Sequence, residues 1–512
     1  IAFSATGDTE MKARGDAMVA GLAQCQAKLG NGYLSAFPTE FFDRLAAGKY
    51  VWAPFYTYHK IMAGLLDMHE LAGNRAALDV VTGMARWVDA WTAARGEPAM
   101  QQILEVEFGG MNDVLYRLAT TTKDPRWIAA GDRFTKKRVF EPLANRKDQL
   151  RGLHMNTHVP QVIGAATRFE ATGDHRFRDV AGFFWETVTE ARTYATGGSS
   201  NKEHWLTEPN HLGLELVQGH DNQECCCSYN MMKLGTHLFA WKPDGAVIDY
   251  YERNLLNHRL GMIEPETGHT SYFLSLSPGA WKTHGTEDST FWCCNGTALE
   301  DFAKLGSMIY AHGDGGLYVN LFVPSVLDWR ERGIRIRQET RFPADSRTEL
   351  VVEATSGTPW TLRLRVPGWT SGPTVSVNGI PEPAVAAPGS YLELTRGWKA
   401  GDRVTLAVPM ALRAEPLSDR PDLAALVYGP VVLAQQLPIG AIPAELMTEH
   451  GPLLDKAPPP VAAATLPADI VERLRPLAEG SLTFETEVGN RRVRFRPVSE
   501  CSERFAVYSV IA

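Results

Sequence analysis

Leu71-Ala72-Gly73-Asn74 and Ala171-Thr172-Gly173-Asp174 set the architecture of this chain. Each separates two amphipathic helical stretches. Glycine closes the first helix in the left-handed conformation, and Asn or Asp caps the second. The same grammar recurs at Ala5-Thr6-Gly7-Asp8, Thr121-Thr122-Lys123-Asp124, Lys242-Pro243-Asp244-Gly245 and His312-Gly313-Asp314-Gly315. The stretch after each of the first five turns has helical period, as in Ala76-Ala77-Leu78-Asp79-Val80-Val81 running on to Trp87, Val88 and Trp91. Six turns imply six inner helices, the first cut to a stub at Ile1 to Ser4, with five helices after them. Residues 1–315 are therefore expected to form an (α/α)6 toroid that takes its missing members from upstream of Ile1. An open solenoid of the same hairpins is the alternative.

After Gly316 the period changes to two. Leu317 to Phe322, Glu349 to Glu353 and Thr361 to Val366 read as strands. Val375-Ser376-Val377-Asn378-Gly379 carries an Asn-Gly hairpin turn, and Tyr391 to Leu394 is expected to pair across Gly401-Asp402 with Arg403 to Leu406. This predicts an antiparallel β-sandwich over 316–436. Residues 437–512 read as a Pro/Ala-rich linker, with Ala457-Pro458-Pro459-Pro460 at its centre, and a small C-terminal β unit or late strands of the sandwich.

The chain has 512 residues, 44% hydrophobic and 21% charged, which suits a soluble globular protein of two or three domains. A net charge of −8 gives no support to nucleic acid or an anionic membrane as partner. No apolar run is long enough to span a bilayer. The chain opens at Ile1 without Met, which leaves open whether a signal peptide preceded it, and the compartment stays open, periplasm and secretion included. Seven cysteines, an odd number and mostly adjacent, argue against a disulfide scaffold.

Five of the seven fall in two places, Cys225-Cys226-Cys227 behind Glu224 and the pair Cys293-Cys294. Thiolate is a soft ligand that zinc prefers, and carboxylate can fill a fourth tetrahedral position. Structural sites space their cysteines apart, whereas these are contiguous, which suggests a sulfur kept for chemistry. Each cluster precedes a helical run, where unpaired N–H groups favour thiolate. Neighbouring helix starts in a ring would bring the two clusters together at one mouth. A buried apolar cysteine cluster without metal is the bland alternative.

Zinc surrounded by three thiolates and a carboxylate is a poor Lewis acid but suits a developing cation, as in glycoside hydrolysis. A held thiolate can take the nucleophile's part, and a carboxyl near it the acid's. Glu203, Glu208 and Glu215 are the candidates, with Glu300 more distant.

The chain resembles glycoside hydrolase family 127 and its relative family 146, the zinc-and-cysteine β-L-arabinofuranosidases. The resemblance rests on Asn31 to Ala36, Val51 to Lys60, Gly109-Gly110-Met111-Asn112, Glu224 to Leu234, Phe291 to Thr297, Pro367-Gly368-Trp369 and Tyr428-Gly429-Pro430. It implies an (α/α)6 barrel followed by β-sandwich domains and a retaining mechanism. It implies Glu224, Cys226, Cys293 and Cys294 as zinc ligands, Cys293 as nucleophile and Glu203, in Glu203-His204-Trp205, as acid/base. Two departures matter. Cys225 and Cys227 bracket Cys226 and compete with it as ligand, and a long gap between Glu203 and Glu224 keeps Glu208 in play.

His59 resembles a family pocket position. His154 and His158 are further candidates for sugar hydroxyls, as are Asn112 and Asn156, and Trp52 and Trp292 are candidate pocket walls. For each of these, ordinary packing is the competing reading. The expected function is an exo-acting zinc-dependent cysteine glycosidase that releases terminal β-L-arabinofuranose from plant-derived glycans. The alternatives are the same chemistry on another sugar, a non-catalytic zinc-stabilised carbohydrate-binding protein, and a toroid enzyme that works through carboxylates alone.

Overall fold

The computed structural model describes residues 1–218, 221–313, 315–383, 386–437, 463–502 and 504–512. The core of the expected linker, Ala457 to Pro460, lies outside the described residues. The chain divides into two compact units. The first is Ile1–Glu190, His204–Leu206 and Leu299–Lys304; the second is Ala191–Glu203, Thr207–Ala298 and Leu305–Ala512.

The first unit is helical. Its turns have the chemistry read from the sequence. Gly7, Gly73 and Gly173 sit at φ 75°, 69° and 75°, and Lys123 takes the same left-handed role at φ 56°. After them the side chain of Asp8 accepts from the Glu10 and Met11 amides, Asn74 from Ala77, Asp124 from Arg126 and Asp174 from Arg176. Helix Pro54–Ala72 packs on Arg75–Ala93 and on Met111–Thr122, and the latter packs on Met155–Thr172. The core between them is aromatic: Phe42 lies 4.8 Å from Phe55 and 5.1 Å from Trp87, centroid to centroid. The Asn31–Ala36 and Val51–Lys60 motifs feed this core directly, the first through Tyr33 and the second through Phe55 and Tyr58, all buried.

The second unit begins with helices Leu212–Gln218, Cys225–Trp241 and Gly245–Asn254, where Asp244 caps the Ala246 amide. A π-helical turn, Leu255–Arg259, continues the last of these. Ten strands come next: β1 (Tyr310–Gly313), β2 (Gly316–Val319), β3 (Ser325–Trp329), β4 (Ile334–Thr340), β5 (Arg347–Ala354), β6 (Trp360–Val366), β7 (Thr374–Val377), β8 (Ile380–Pro381), β9 (Ser390–Arg396) and β10 (Arg403–Ala407). They form two sheets, β1-β2-β6-β9 and β3-β4-β5-β10-β7-β8, around one core that includes Leu362, Leu364, Ile336, Leu350, Val404 and Trp398. All their pairs are antiparallel except β2 with β6.

Two sequence expectations change here. The sixth turn does not end a helix: helix Cys293–Lys304 gives way to a 3-10 turn at Leu305–Met308, and β1 and β2 then pair around residues 313–316. Strand structure thus begins at Tyr310. The hairpin expected between Tyr391–Leu394 and Arg403–Leu406 is absent, because β9 pairs with β6 and β10 pairs with β5 and β7. The intervening Trp398 explains the crossing. It is buried in the sandwich core with its indole N–H on the Trp360 carbonyl, so the chain passes from one sheet to the other. The Asn-Gly turn is as read, with Asn378 and Gly379 at φ 53° and 79°.

A third sheet is built from β11 (Leu412–Leu417), β12 (Arg420–Tyr428), β13 (Val431–Gln436), β14 (Arg475–Pro476), β15 (Phe484–Val488), β16 (Arg491–Pro497), β17 (Phe505–Ala506) and β18 (Tyr508–Val510). Its order is β11-β12-β13-β16-β15-β14, with β17 on β13 and β18 on β12. Strands on both sides of residues 438–462 therefore share one sheet. Ala425, Val427, Val432, Ala434 and Phe505 from this sheet pack in one apolar cluster with Cys225, Cys226 and Cys294. Helix Gly245–Asn254 is tied to the sandwich by charge. Buried Arg365 pairs with Asp249 and with buried Glu252, whose second oxygen accepts from the Trp369 indole at 2.9 Å.

Candidate active site and metal centre

The loop before the first cysteine cluster is fixed on both sides. Gln223, at φ 55°, donates to the Leu274 carbonyl at 3.0 Å, and Asn222 accepts from the Leu276 amide at 2.8 Å. The Cys225 amide donates to the Tyr272 carbonyl at 2.9 Å. Glu224 becomes the N-cap of helix Cys225–Trp241, so the three cysteines fill its first turn. Cys293 and Cys294 likewise open their helix. Both clusters therefore sit at a helix N-terminus, where the first amides have no partner within the helix.

One donor atom each from Glu224, Cys226, Cys293 and Cys294 lies within 4.8 Å of all the others. The Cys226 and Cys294 sulfurs are 3.7 Å apart, those of Cys293 and Cys294 4.0 Å, and Cys293 Sγ is 3.8 Å from Glu224 Oε1. Sulfurs at about 2.3 Å from a tetrahedral ion are about 3.8 Å from each other. The separations are those of a cage that could hold a metal ion. Of the bracketing thiols, Cys227 donates to Glu224 Oε2 at 3.1 Å, and Cys225 faces the Cys294 carbonyl at 3.7 Å.

The electrostatics point the same way. Burial and the neighbouring Cys293 charge push the Glu224 carboxyl well above its ordinary range. Cys294 is raised first by burial, and Cys226 first by its hydrogen bond with Cys225. Cys293 alone among the four moves down, to about 4, held by hydrogen bonds with Cys226 and Cys294. So many anionic donors in one buried place need a cation to be ionised together. Cys293 is also the one exposed member of the set, while the other three are buried.

Glu203 is half-buried, at φ 64°, and accepts a hydrogen bond from the Tyr272 hydroxyl. Its charge acts on Glu224 and on Cys227, which places it beside the cluster. Tyr272 also feels Glu224 and Cys293, and its ring lies 6.0 Å from that of half-buried Trp292. Sequence reading missed Tyr272, because a lone tyrosine in Ser271-Tyr272-Phe273 carries no spacing signal. Glu208 is exposed. Glu215 is buried and accepts from the Thr207 hydroxyl at 3.0 Å, and Glu300 pairs with Lys304 at 3.1 Å.

The histidine candidates belong to the first unit. His59 is buried, with its ring 5.0 Å from Tyr56. A Cβ on Gly109 would come within 2.7 Å of His59 Nδ1, and one on Gly110 within 3.0 Å of its ring, which is why Gly109-Gly110 lacks side chains. Asn112 of the same motif is buried, donates to the Gln161 carbonyl at 2.8 Å and fills the space over Gly164. His154 precedes helix Met155–Thr172, with its ring 4.8 Å from His204, and Asn156 is buried in that helix. His158 shares its Nδ1 with the His154 carbonyl at 2.7 Å, and burial first, then Lys136, lowers it to about 3. Trp52 is 72% exposed. Glu107, which the sequence did not single out, accepts from the Tyr56 amide at 2.6 Å, and burial raises it to about 7.

Residues 1–307 match the family model described as the β-L-arabinofuranosidase GH127 catalytic domain, and residues 316–410 match the GH127 middle domain. The chain belongs to glycoside hydrolase family 127. Three solved structures, each with a TM-score of 0.74 over 100% of this chain, show the same fold. One is Ara127N-Se, a GH127 β-L-arabinofuranosidase from Geobacillus stearothermophilus T6, at 18% identity with 88% of its chain covered. Another is described only as a glycoside hydrolase, at 16% identity and 90% covered. The third is the GH127 β-arabinofuranosidase BT3674, at 18% identity and 87% covered. Comparison with curated proteins gives no match. As a family 127 member the chain is a glycoside hydrolase, and among the described residues no helix is long and apolar enough to cross a membrane.

Proposed function

We propose that the chain is a retaining exo-glycosidase that releases terminal β-L-arabinofuranose from plant-derived glycans. Cys293 acts as nucleophile, Glu203 as acid/base, and Glu224, Cys226, Cys293 and Cys294 hold zinc. The observation that carries this reading is the exposure of Cys293 alone within a buried four-donor cage. The bracketing thiols fit less well, since Cys227 is committed to Glu224 and Cys225 to other partners. Zinc, when bound, would keep sulfur ionised at neutral pH and fix its direction.

In the first step the Cys293 sulfur attacks the anomeric carbon while Glu203 gives its proton to the departing glycosidic oxygen. The sugar is then bonded to Cys293 through sulfur, and the aglycone leaves as an alcohol. Glu203, now a carboxylate, takes a proton from water as the water oxygen displaces the sulfur. Two inversions give overall retention. Tyr272, donating to Glu203, orients that carboxyl, and buried Glu224 stays in the cage.

The test is release of 4-nitrophenol from its β-L-arabinofuranoside, measured beside a panel of other aryl glycosides. Cys293→Ser is expected to abolish turnover while leaving sugar binding. An unchanged rate removes Cys293 from the nucleophile's role, and a stronger response to another glycoside replaces the sugar.

A further inference from the structure

The cage has a fourth sulfur within reach. Cys225 Sγ faces the Cys294 main-chain carbonyl at 3.7 Å, next in sequence to Cys226, yet it does not belong to the four-donor group. Its partner is Arg259. This guanidinium is wholly buried, and its Nη1 donates to Cys225 at two points, the sulfur at 3.0 Å and the main-chain carbonyl at 3.0 Å.

The arginine is itself held from behind. It ends the π-helical turn Leu255–Arg259, whose preceding residues Asn257 and His258 are also fully buried and anchored to other elements. Asn257 donates to the Pro430 carbonyl at 2.8 Å and accepts from the Val432 amide at 2.7 Å, which pins the turn to the β12–β13 hairpin. His258 bonds the Ser228 hydroxyl and, through Nε2, the Gln223 carbonyl at 2.9 Å. A π-turn re-aims successive side chains and recurs at functional sites. Here it sends three consecutive polar groups to the sheet, to the cysteine-bearing first turn and to Cys225.

We propose that Arg259 selects the ligands of the metal centre by keeping Cys225 out of the donor set, so that Glu224 rather than a fourth sulfur completes it. The inference rests on the metal centre proposed above. Four thiolates make the closed donor set of a structural zinc site, whereas a carboxylate in one position leaves an exchangeable oxygen ligand beside the reactive sulfur. A guanidinium bound to Cys225 at both sulfur and carbonyl competes directly with an ion for that sulfur. Arg259 is thus a positioning residue, acting through Cys225.

Cobalt(II) loaded into the purified protein reads the sulfur count from its sulfur-to-metal charge-transfer absorption. Wild type and C225S are expected to give the same three-sulfur band. R259M is expected to gain about one third in intensity as Cys225 joins, and R259M/C225S to return to the wild-type value. Turnover should fall in R259M and recover in the double variant. An R259M spectrum identical to wild type overturns the proposal, as does loss of one third of the band in C225S. Should R259M fail to fold, R259Q, whose side-chain amide ends two bonds short of the guanidinium nitrogen that meets Cys225, carries the same comparison. A wild-type protein that takes up no cobalt sinks the metal centre itself. A three-sulfur band unmoved by the Arg259 variants leaves that centre standing and removes only the arginine's part.

Discussion

The two cysteine-bearing first turns are built alike and finished differently. Glu224 to Cys227 is wholly enclosed, with Gln223, His258 and Arg259 bonded around it. Cys293 and Cys294 share one turn, but only Cys294 is buried, and Cys293 faces outward beside Tyr272 and Glu203. Helix start and residue type are thus common to both turns, while burial separates Cys293 from the other three donors.

Replacing the outward sulfur should abolish that contrast most severely. Cys293→Ser is expected to lower kcat/KM by at least about 10³-fold, measured on the aryl β-L-arabinofuranoside. Glu203→Gln should cost about 10²- to 10⁴-fold on a substrate with a poor leaving group, and less on the nitrophenyl glycoside, because protonation matters less there. Chelation probes the enclosed turn instead. Removing an ion present at a hundred times its Kd should withdraw about 3 kcal/mol of stability, read as a lower unfolding temperature that added zinc restores. Tyr272→Phe strips Glu203 of one donor. A loss of about 1.5 to 3 kcal/mol in transition-state binding is expected, with folding unaffected by circular dichroism. Thr297→Val, which removes the hydroxyl 3.0 Å from Cys226 Sγ, should shift activity only a few-fold, about 1 kcal/mol.

Much of this was legible in the chain itself because the signals are local. Asp8, Asn74, Asp174 and Asp244 cap helices through their own side chains, within three residues of where they stand. Cys226, Cys293 and Cys294 declare themselves by residue type. Long-range partnerships leave no such mark. The alternation of Tyr391 to Leu394 and Arg403 to Leu406 says that both are strands, but only burial of Trp398 decides that they enter different sheets. Tyr272 meets Glu203 across 69 residues and Arg259 meets Cys225 across 34, and no periodicity encodes either meeting. The sixth turn misled because glycine serves a hairpin as readily as a helix end.

The pairing of Arg365 with Asp249 and Glu252 bears on how the polypeptide is assembled. Both acids emerge from the ribosome more than a hundred residues before the arginine that neutralises them. A fragment truncated ahead of β6 would have to enclose Glu252 without its counterion, at a cost of about 3 to 5 kcal/mol. The last helical hairpin and the sandwich should therefore mature as one body, and expression of the helices alone is expected to yield aggregate rather than a working enzyme.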